Sequence, residues 1–289
     1  MRDSKGEKIF YFFNYVLLSL IAISCIVPLL NVVALSLSGA DAVASGRVTL
    51  WPIDFSFSSF SSLFAGTPIL QSFWNSVQIT LIGTALSMLV TILAAYPLSR
   101  RQFYSRRFFT MAMVFTMIFN GGLIPTYLVV QNLGLVNSYW SLWLPGLVST
   151  YNMLLMRSAF EQLPGEVDEA AKMDGCSETG ILWRIVLPLT KPMLATLALF
   201  YGVGYWNSFM SVMIYINDTD KYNMTVLVQN MIKSTTMIQD FADPTMMTSM
   251  TPEGIRSAAV IVMIVPILAV YPLLQKYFVK GVMLGSIKG

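Results

Sequence analysis

Continuous apolar runs, separated by short polar breaks, cover almost the whole chain. A helix needs about 20 apolar residues to cross a bilayer core of roughly 30 Å. Six segments meet that length, at approximately residues 10–37, 72–98, 108–131, 138–160, 190–214 and 256–278. They are apolar throughout and do not alternate, so the pattern predicts spanning helices rather than barrel strands. The expected fold is an all-α integral membrane protein with six transmembrane helices in one domain, residues 1–289. The start MRDSKGEK is basic, but the apolar run after it is too long for a secretory signal core. No small-residue cleavage site follows at the right distance, so residues 10–37 are read as a retained span.

Composition agrees with that class. Charged residues make up 11% of the chain and apolar residues 55%, whereas soluble domains carry roughly a quarter charged residues. The net charge of +3 is too small to suggest a nucleic-acid partner. Its distribution is more informative. RRQFYSRR, residues 100–107, lies between the second and third segments and is expected to be cytoplasmic. Both termini and the 161–189 stretch then fall on the same side. That side holds 14 basic residues: Arg2, Lys5, Lys8, Arg100, Arg101, Arg106, Arg107, Arg157, Lys172, Arg184, Lys191, Lys276, Lys280 and Lys288. The other side holds 4: Arg47, Lys221, Lys233 and Arg256.

Two long loops face outward in this arrangement, 38–71 and 215–255. The first contains WPIDFSFSSFSSLF and either lies on the membrane surface or packs over the outer mouth. The second is polar and rich in methionine, and loops of roughly 40 residues usually carry function or move. Asn217-Asp218-Thr219 and Asn223-Met224-Thr225 match the glycosylation triplet, a pattern common by chance.

Several chemistries are disfavoured. The chain has no histidine, which removes histidine metal sites, triads and proton relays. Cys25 lies in the first apolar segment and Cys176 in the charged stretch, so no disulfide framework is expected. The apolar cores lack ionisable groups apart from Arg157 near one end. Ion-coupled carriers place such groups mid-membrane to bind the coupling ion, so energy for any transport is expected from outside the bilayer. No paired acids or metal-ligand spacing suggest a membrane-embedded enzyme. The remaining polar groups in the segments are Asn75, Gln78, Asn120, Asn152, Tyr205, Trp206 and Asn207. Two readings stand: interhelical hydrogen bonding, or a neutral pathway in which Asn120, Asn152, Tyr205, Trp206 and Asn207 meet a sugar. In TMIFNGGLIPTYLVV, Gly121, Gly122 and Pro125 weaken the helix. A break inside a bilayer requires protein or a water-filled cavity beside it.

The stretch DEAAKMDGCSETGILWRIVLPL, residues 168–189, interrupts this apolar pattern. Pro164 suits a first helical turn, and Glu166, Asp168 and Glu169 favour the positive helix end. Val167, Ala170 and Ala171 are spaced to share a face, and Gly175 suits the stop position. The predicted helix has about ten residues, roughly 15 Å, too short to span. Its small alanine face would admit another protein closely. A second amphipathic run, Ile181 to Leu187, is expected to end at Pro188. GCSETGIL has the glycine spacing of a phosphate loop, but Ile181 and Leu182 stand where Lys and Ser or Thr are required.

Glu169, Ala170, Ala171, Gly175, Ile185, Leu187 and Pro188, with Asp174 before the glycine, match in residue type and spacing the signature loop of ABC-importer permeases. AYPLSR (95–100), LPLTKPMLATL (187–197), YWNSF (205–209) and the ending FVKGVMLGSIKG extend the similarity. The chain resembles the carbohydrate-importer permeases in the branch of the second maltose permease subunit. FNGGLIPTYLVVQNLGLVNS (119–138) is similar to the subgroup associated with larger, often uronate-containing oligosaccharides. The resemblance implies a type I importer architecture in a bacterial cell membrane. It implies a heterodimer with a second permease subunit, two cytoplasmic ATPase subunits that receive the signature loops, and an extracytoplasmic solute-binding protein. ATP and Mg would be bound by the ATPase subunits, with no cofactor in this chain and no catalysis by it.

Overall fold

The computed structural model describes residues 5–233 and 251–286, and every regular element among them is a helix. Residues 234–250 of the second long loop, and the side chains of the ending that supports the resemblance, lie outside this description. Three helices are long and apolar enough to cross a membrane: Gly6–Ser36, Ile69–Ser99 and Pro252–Val270. Two bent pairs, Arg106–Ile118 with Leu123–Asn132 and Glu178–Leu189 with Lys191–Trp206, raise the number to five if each is one span. The chain divides into two compact units.

One unit comprises the chain up to Leu70 together with Leu227–Val265. It begins with α1 (Lys5–Ser36), followed by α2 (Ala40–Ala44) and α3 (Ser58–Gly66). The most apolar window of α1 is 0% buried. A helix that is apolar on every side belongs in a membrane or against another protein. The residues after α1 fold back on its end. Asn31 donates to the Thr49 carbonyl at 2.6 Å, and the Ile53 amide donates to Ser38 Oγ at 3.1 Å. Ala34, Ala42, Val43 and Val48 form a small core there, while Trp51, Phe55 and Phe57 remain exposed.

The other unit comprises Gln71–Val226 and the chain from Pro266 on. Its elements are α4 (Ile69–Ser99), α5 (Arg106–Ile118), α6 (Leu123–Asn132), α7 (Trp140–Trp143), α8 (Thr150–Glu161), α9 (Gly165–Met173), α10 (Glu178–Leu189), α11 (Lys191–Trp206), α12 (Met210–Tyr215) and the start of α13 (Met224–Lys233). A last helix, α14 (Pro252–Ser286), passes through both units. α4 packs with its small and hydroxylated side. A Cβ on Gly83 would come within 2.9 Å of Trp143 and Tyr205. One and two turns further, Ser87 bonds Tyr205 Oη at 2.9 Å and Thr91 bonds Tyr201 Oη at 2.7 Å. Small residues that let helices approach, joined by hydroxyl hydrogen bonds, are the usual interhelical glue in a bilayer.

Three predicted segments are interrupted. The 108–131 segment breaks where its glycines predict, with a bend of 112° between α5 and α6. Gly122 has φ +86°, which disfavours a side chain, and its amide donates to Asn120 Oδ1 at 2.9 Å. Pro125 sits harmlessly in the first turn of α6. The 138–160 segment is not one helix, because Pro145 and Gly146 separate α7 from α8. In that gap the Ser149 amide donates to Tyr201 Oη at 3.0 Å, so a side chain supplies one backbone partner that the helix no longer does. The 190–214 segment divides at 207–209 into α11 and α12.

Candidate functional site

The insert between α8 and α11 forms two helices, and their termini follow from local chemistry. Pro164 caps α9 from outside the helix at φ −59°, ψ 131°, so the first turn starts at Gly165, one residue after the expected proline. Glu166 and Asp168 lie in the first turn and Lys172 in the last, each favourable to the helix dipole. At the far end, the Cys176 amide donates to the Ala171 carbonyl and the Gly175 amide to the Lys172 carbonyl, both at 3.0 Å. This is a Schellman stop, and Gly175 supplies its left-handed residue at φ +77°. Ser177 then caps α10, its Oγ accepting from the Gly180 amide at 3.2 Å.

α10 begins at Glu178, earlier than the expected Ile181, and contains a π-helical turn at Leu182–Val186. Pro188 sits just beyond that turn. A proline ring crowds the carbonyl four residues back and cannot donate to it, and the wider turn stands where that conflict would fall. Pro188 therefore does not end the helix. The break comes at Thr190, whose Oγ1 donates to the Val186 carbonyl at 2.8 Å, and the chain bends there by 84°.

The structure separates the alanine pair. Ala171 is buried and Val167 half-buried, while Ala170 is exposed. Ala171, Ile181, Leu182, Val186 and Leu187 join one core with Ile92, Ala95, Tyr96 and Leu98 of α4, Met153, Met156 and Phe160 of α8, and Leu197 of α11. Ala171 thus helps seat the helix on its own chain. Ala170 stands one position from Ala171, about 100° round the helix, so it turns outward once the core claims the Val167–Ala171 edge. The outward stripe is Glu166, Glu169, Ala170 and Met173, at i, i+3, i+4 and i+7. Met173 is 89% exposed, and no sequence argument singled it out. Asp174, Gly175 and Pro188 are also exposed, and Ile185 is half-buried.

Charged groups fasten the insert to the basic loop and the end of α4. Arg100 pairs with Asp168 and lies 4.4 Å above the Tyr96 ring. Tyr96 donates to Glu178 Oε2 at 3.0 Å, while Lys172 Nζ holds Glu178 Oε1 at 2.8 Å. The Lys172 hydrogen bond, reinforced by Tyr96, keeps the Glu178 carboxyl below the usual glutamate range despite partial desolvation. Arg157 donates to Glu161 at 2.9 Å and to Thr110 at 3.0 Å, and Arg106 reaches the same carboxylate at 3.5 Å. The 100–107 loop and the insert are therefore on one side, as the charge pattern predicts. For stability the apolar seat dominates. Each buried Leu, Ile or Val is worth about 1.5–3 kcal/mol where water is the alternative, and a partly exposed ion pair about 0–1 kcal/mol.

The pathway candidates are not brought together as a polar cluster. Tyr205 is buried, with its hydroxyl on Ser87. Trp206 is buried edge-on to Phe73, and its carbonyl accepts from Thr225 at 3.0 Å. Asn152 is buried in the first turn of α8, whereas Asn120 and Asn207 are exposed at helix breaks. Burial assigns Tyr205 and Trp206 to packing. Asn75, the interhelical candidate, instead donates to the Asp220 and Tyr222 carbonyls at 2.8 and 3.0 Å. Asn223 is buried with its amide on the Ser208 carbonyl at 2.9 Å, so that triplet is not an accessible glycan acceptor.

A family model described as "binding-protein-dependent transport system inner membrane component" matches residues 2–284, insert included. The chain belongs to this family of ABC-importer permeases. As a permease it is a non-catalytic membrane component of a transport system. It is 39% identical to Protein LplC of Bacillus subtilis (strain 168), over 100% of this chain and 98% of that protein. It is 40% identical to the polygalacturonan/rhamnogalacturonan transport system permease protein YtcP of the same organism, over 98% of this permease and 99% of YtcP. Among solved structures, a bacterial ABC transporter involved in the import of the acidic polysaccharide alginate matches with TM-score 0.89 and 30% identity. That match covers 96% of this permease and 99% of the other chain.

Proposed function

We propose that this permease forms half of the pathway of an ATP-driven importer for oligosaccharides, with acidic, uronate-containing sugars as the substrate class. One observation carries the mechanism: a seated helix, Gly165–Met173, turns Glu166, Glu169, Ala170 and Met173 outward in a chain of this family. A short helix with a packed inner face and an exposed outer stripe suits docking to a second protein. In this reading the exposed stripe enters a cytoplasmic ATPase subunit, which binds ATP and Mg. A second permease subunit completes the pathway, and a solute-binding protein delivers the sugar from outside. The chain crosses a bacterial cell membrane six times with both termini in the cytoplasm, the 138–160 segment crossing as a broken span. The polygalacturonan and alginate named for two of its relatives support the acidic class.

Of the proposed signature residues, Glu169 and Asp174 offer exposed carboxylates, Gly175 sets the turn, and Ala171 and Leu187 seat the insert. Cationic contacts to a uronate fall to the partner permease or the binding protein, because Arg157 is engaged by Glu161 and Thr110. The test is uptake into proteoliposomes holding the full importer, with trigalacturonate and a neutral trisaccharide as probes. ATP-dependent uptake favouring trigalacturonate supports the reading. Uptake by this chain alone would sink it, and preference for the neutral sugar would sink the acidic class.

A further inference from the structure

We propose that Tyr96 and Arg100 form a clamp that locks both helices of the insert to the end of α4, so that motion of α9 is passed to α4 as one body. The proposal rests on the functional reading above but concerns residues outside the signature loop. Tyr96 lies in the last turn of α4 and Arg100 is the first residue beyond it, four positions on. Each holds a different helix of the insert: Arg100 takes Asp168 of α9, and Tyr96 takes Glu178 of α10. Lys172 of α9 closes the set by binding the other oxygen of Glu178 at 2.8 Å.

The apolar seat beneath this set cannot do the same work. Contacts among Ala171, Ile181, Leu182 and Ala95 are non-directional and tolerate small rolls and slides of the helix. Hydrogen-bonded charges have preferred directions. Two such attachments, one on each insert helix, remove the rolling freedom that a single pair would leave. The Arg100 guanidinium is itself fixed. It stacks on Tyr96 at 4.4 Å, and its Asp168 pair is about three-quarters buried. Tyr96 and Arg100 are thus positioning residues, acting through α9 and not on sugar or nucleotide.

The clamp can be tested in the complete importer in nanodiscs, with Cys25→Ser and Cys176→Ala as background. Nitroxide labels on Gly165→Cys, at the start of α9 where an added side chain meets open space, and on the exposed Leu81→Cys report the distance from α9 to the middle of α4. The unmodified clamp gives one narrow distance distribution. Arg100→Gln or Asp168→Asn widens it about twofold and lowers sugar moved per ATP several-fold, while the ATPase still co-purifies. The exchange Arg100→Asp with Asp168→Arg restores both readouts at least in part. An unchanged distribution in both neutralised variants overturns the clamp. So does widening with an unchanged ratio of transport to hydrolysis. Absence of uptake by the unmodified importer counts against the functional reading, while the distance measurement decides the clamp independently.

Discussion

The two ends of the Gln71–Val226 unit are fastened by different chemistry. At one end, side-chain amides do most of the holding and grip backbone, with one ion pair beside them, Lys221 with Asp218 at 3.5 Å. Asn137, at φ +63°, accepts from the Asn217 and Asp218 amides at 3.2 and 3.1 Å, and Asn75 and Gln71 donate to backbone carbonyls of 220–222. Ser76 accepts the Met224 amide at 2.8 Å. At the other end, side chains hold side chains and most are charged: Arg100 with Asp168, Lys172 with Glu178, Arg157 with Glu161. Amide-to-backbone bonds fix a loop in one shape and respond little to salt. Ion pairs between side chains set an orientation through charge, and salt weakens them. The first arrangement suits a surface that must keep its form, the second an insert that must follow a moving partner.

The largest test of this contrast is Gly175→Pro. Proline cannot adopt φ +77° and removes the amide that donates to Lys172. Uptake should fall at least about tenfold at equal membrane levels, with insertion unaffected. Normal uptake would show that the Schellman stop does not set the coupling geometry. At the amide-stapled end, Asn137→Val should cost about 2–3 kcal/mol, from a β-branched residue at positive φ and two amides left without their acceptor. A thermal-unfolding shift of the purified complex measures it. Asn137→Gly, which keeps the backbone conformation, should recover part of that loss.

A smaller effect separates the ends by salt. Raising ionic strength from about 0.1 to about 1 M shortens the Debye length from about 10 to about 3 Å. Hydrogen exchange should then quicken more in 165–189 than in 215–226, where Lys221 with Asp218 is the one ion pair among the described residues. Equal responses at both ends would erase the distinction. The smallest effect is with pH. The depressed Glu178 carboxyl contributes stability above its unfolded value and loses it as pH falls through the folded value. Protection from exchange in 172–180, taken relative to the unfolded amide at each pH, should therefore be flat from pH 8 to pH 6 and fall only in the acid range below the ordinary glutamate value. With no histidine in the chain, a transition near pH 6.5 would point to a partner subunit.

Much of this was legible without coordinates, and the reason differs by residue. The glycine break at Asn120–Gly122 and the stop at Gly175 could be read because backbone sterics at glycine are local. The shared side of RRQFYSRR and the insert could be read because charge bias records topology. The division of the alanine pair could not. Ala170 and Ala171 are equivalent as residue types, and only the position of α4 and α8 decides which is covered. Tyr205 and Trp206 looked suited to a sugar, and their burial against Ser87 and Phe73 depends on helix approach at Gly83. Arg100 was one of four loop arginines until the fold placed Asp168 against it.

By itself, then, the sequence determined the membrane class, the charge bias among its loops, the signature spacing and where backbone must turn. These depend on transfer free energy and on dihedral sterics, which act over a few residues. The tertiary structure alone decided which face of α9 is seated, which arginine is clamped, and which polar groups serve packing. Those depend on contacts between residues tens of positions apart, such as Arg100 with Asp168 and Asn75 with Tyr222, and no local property of either partner encodes them.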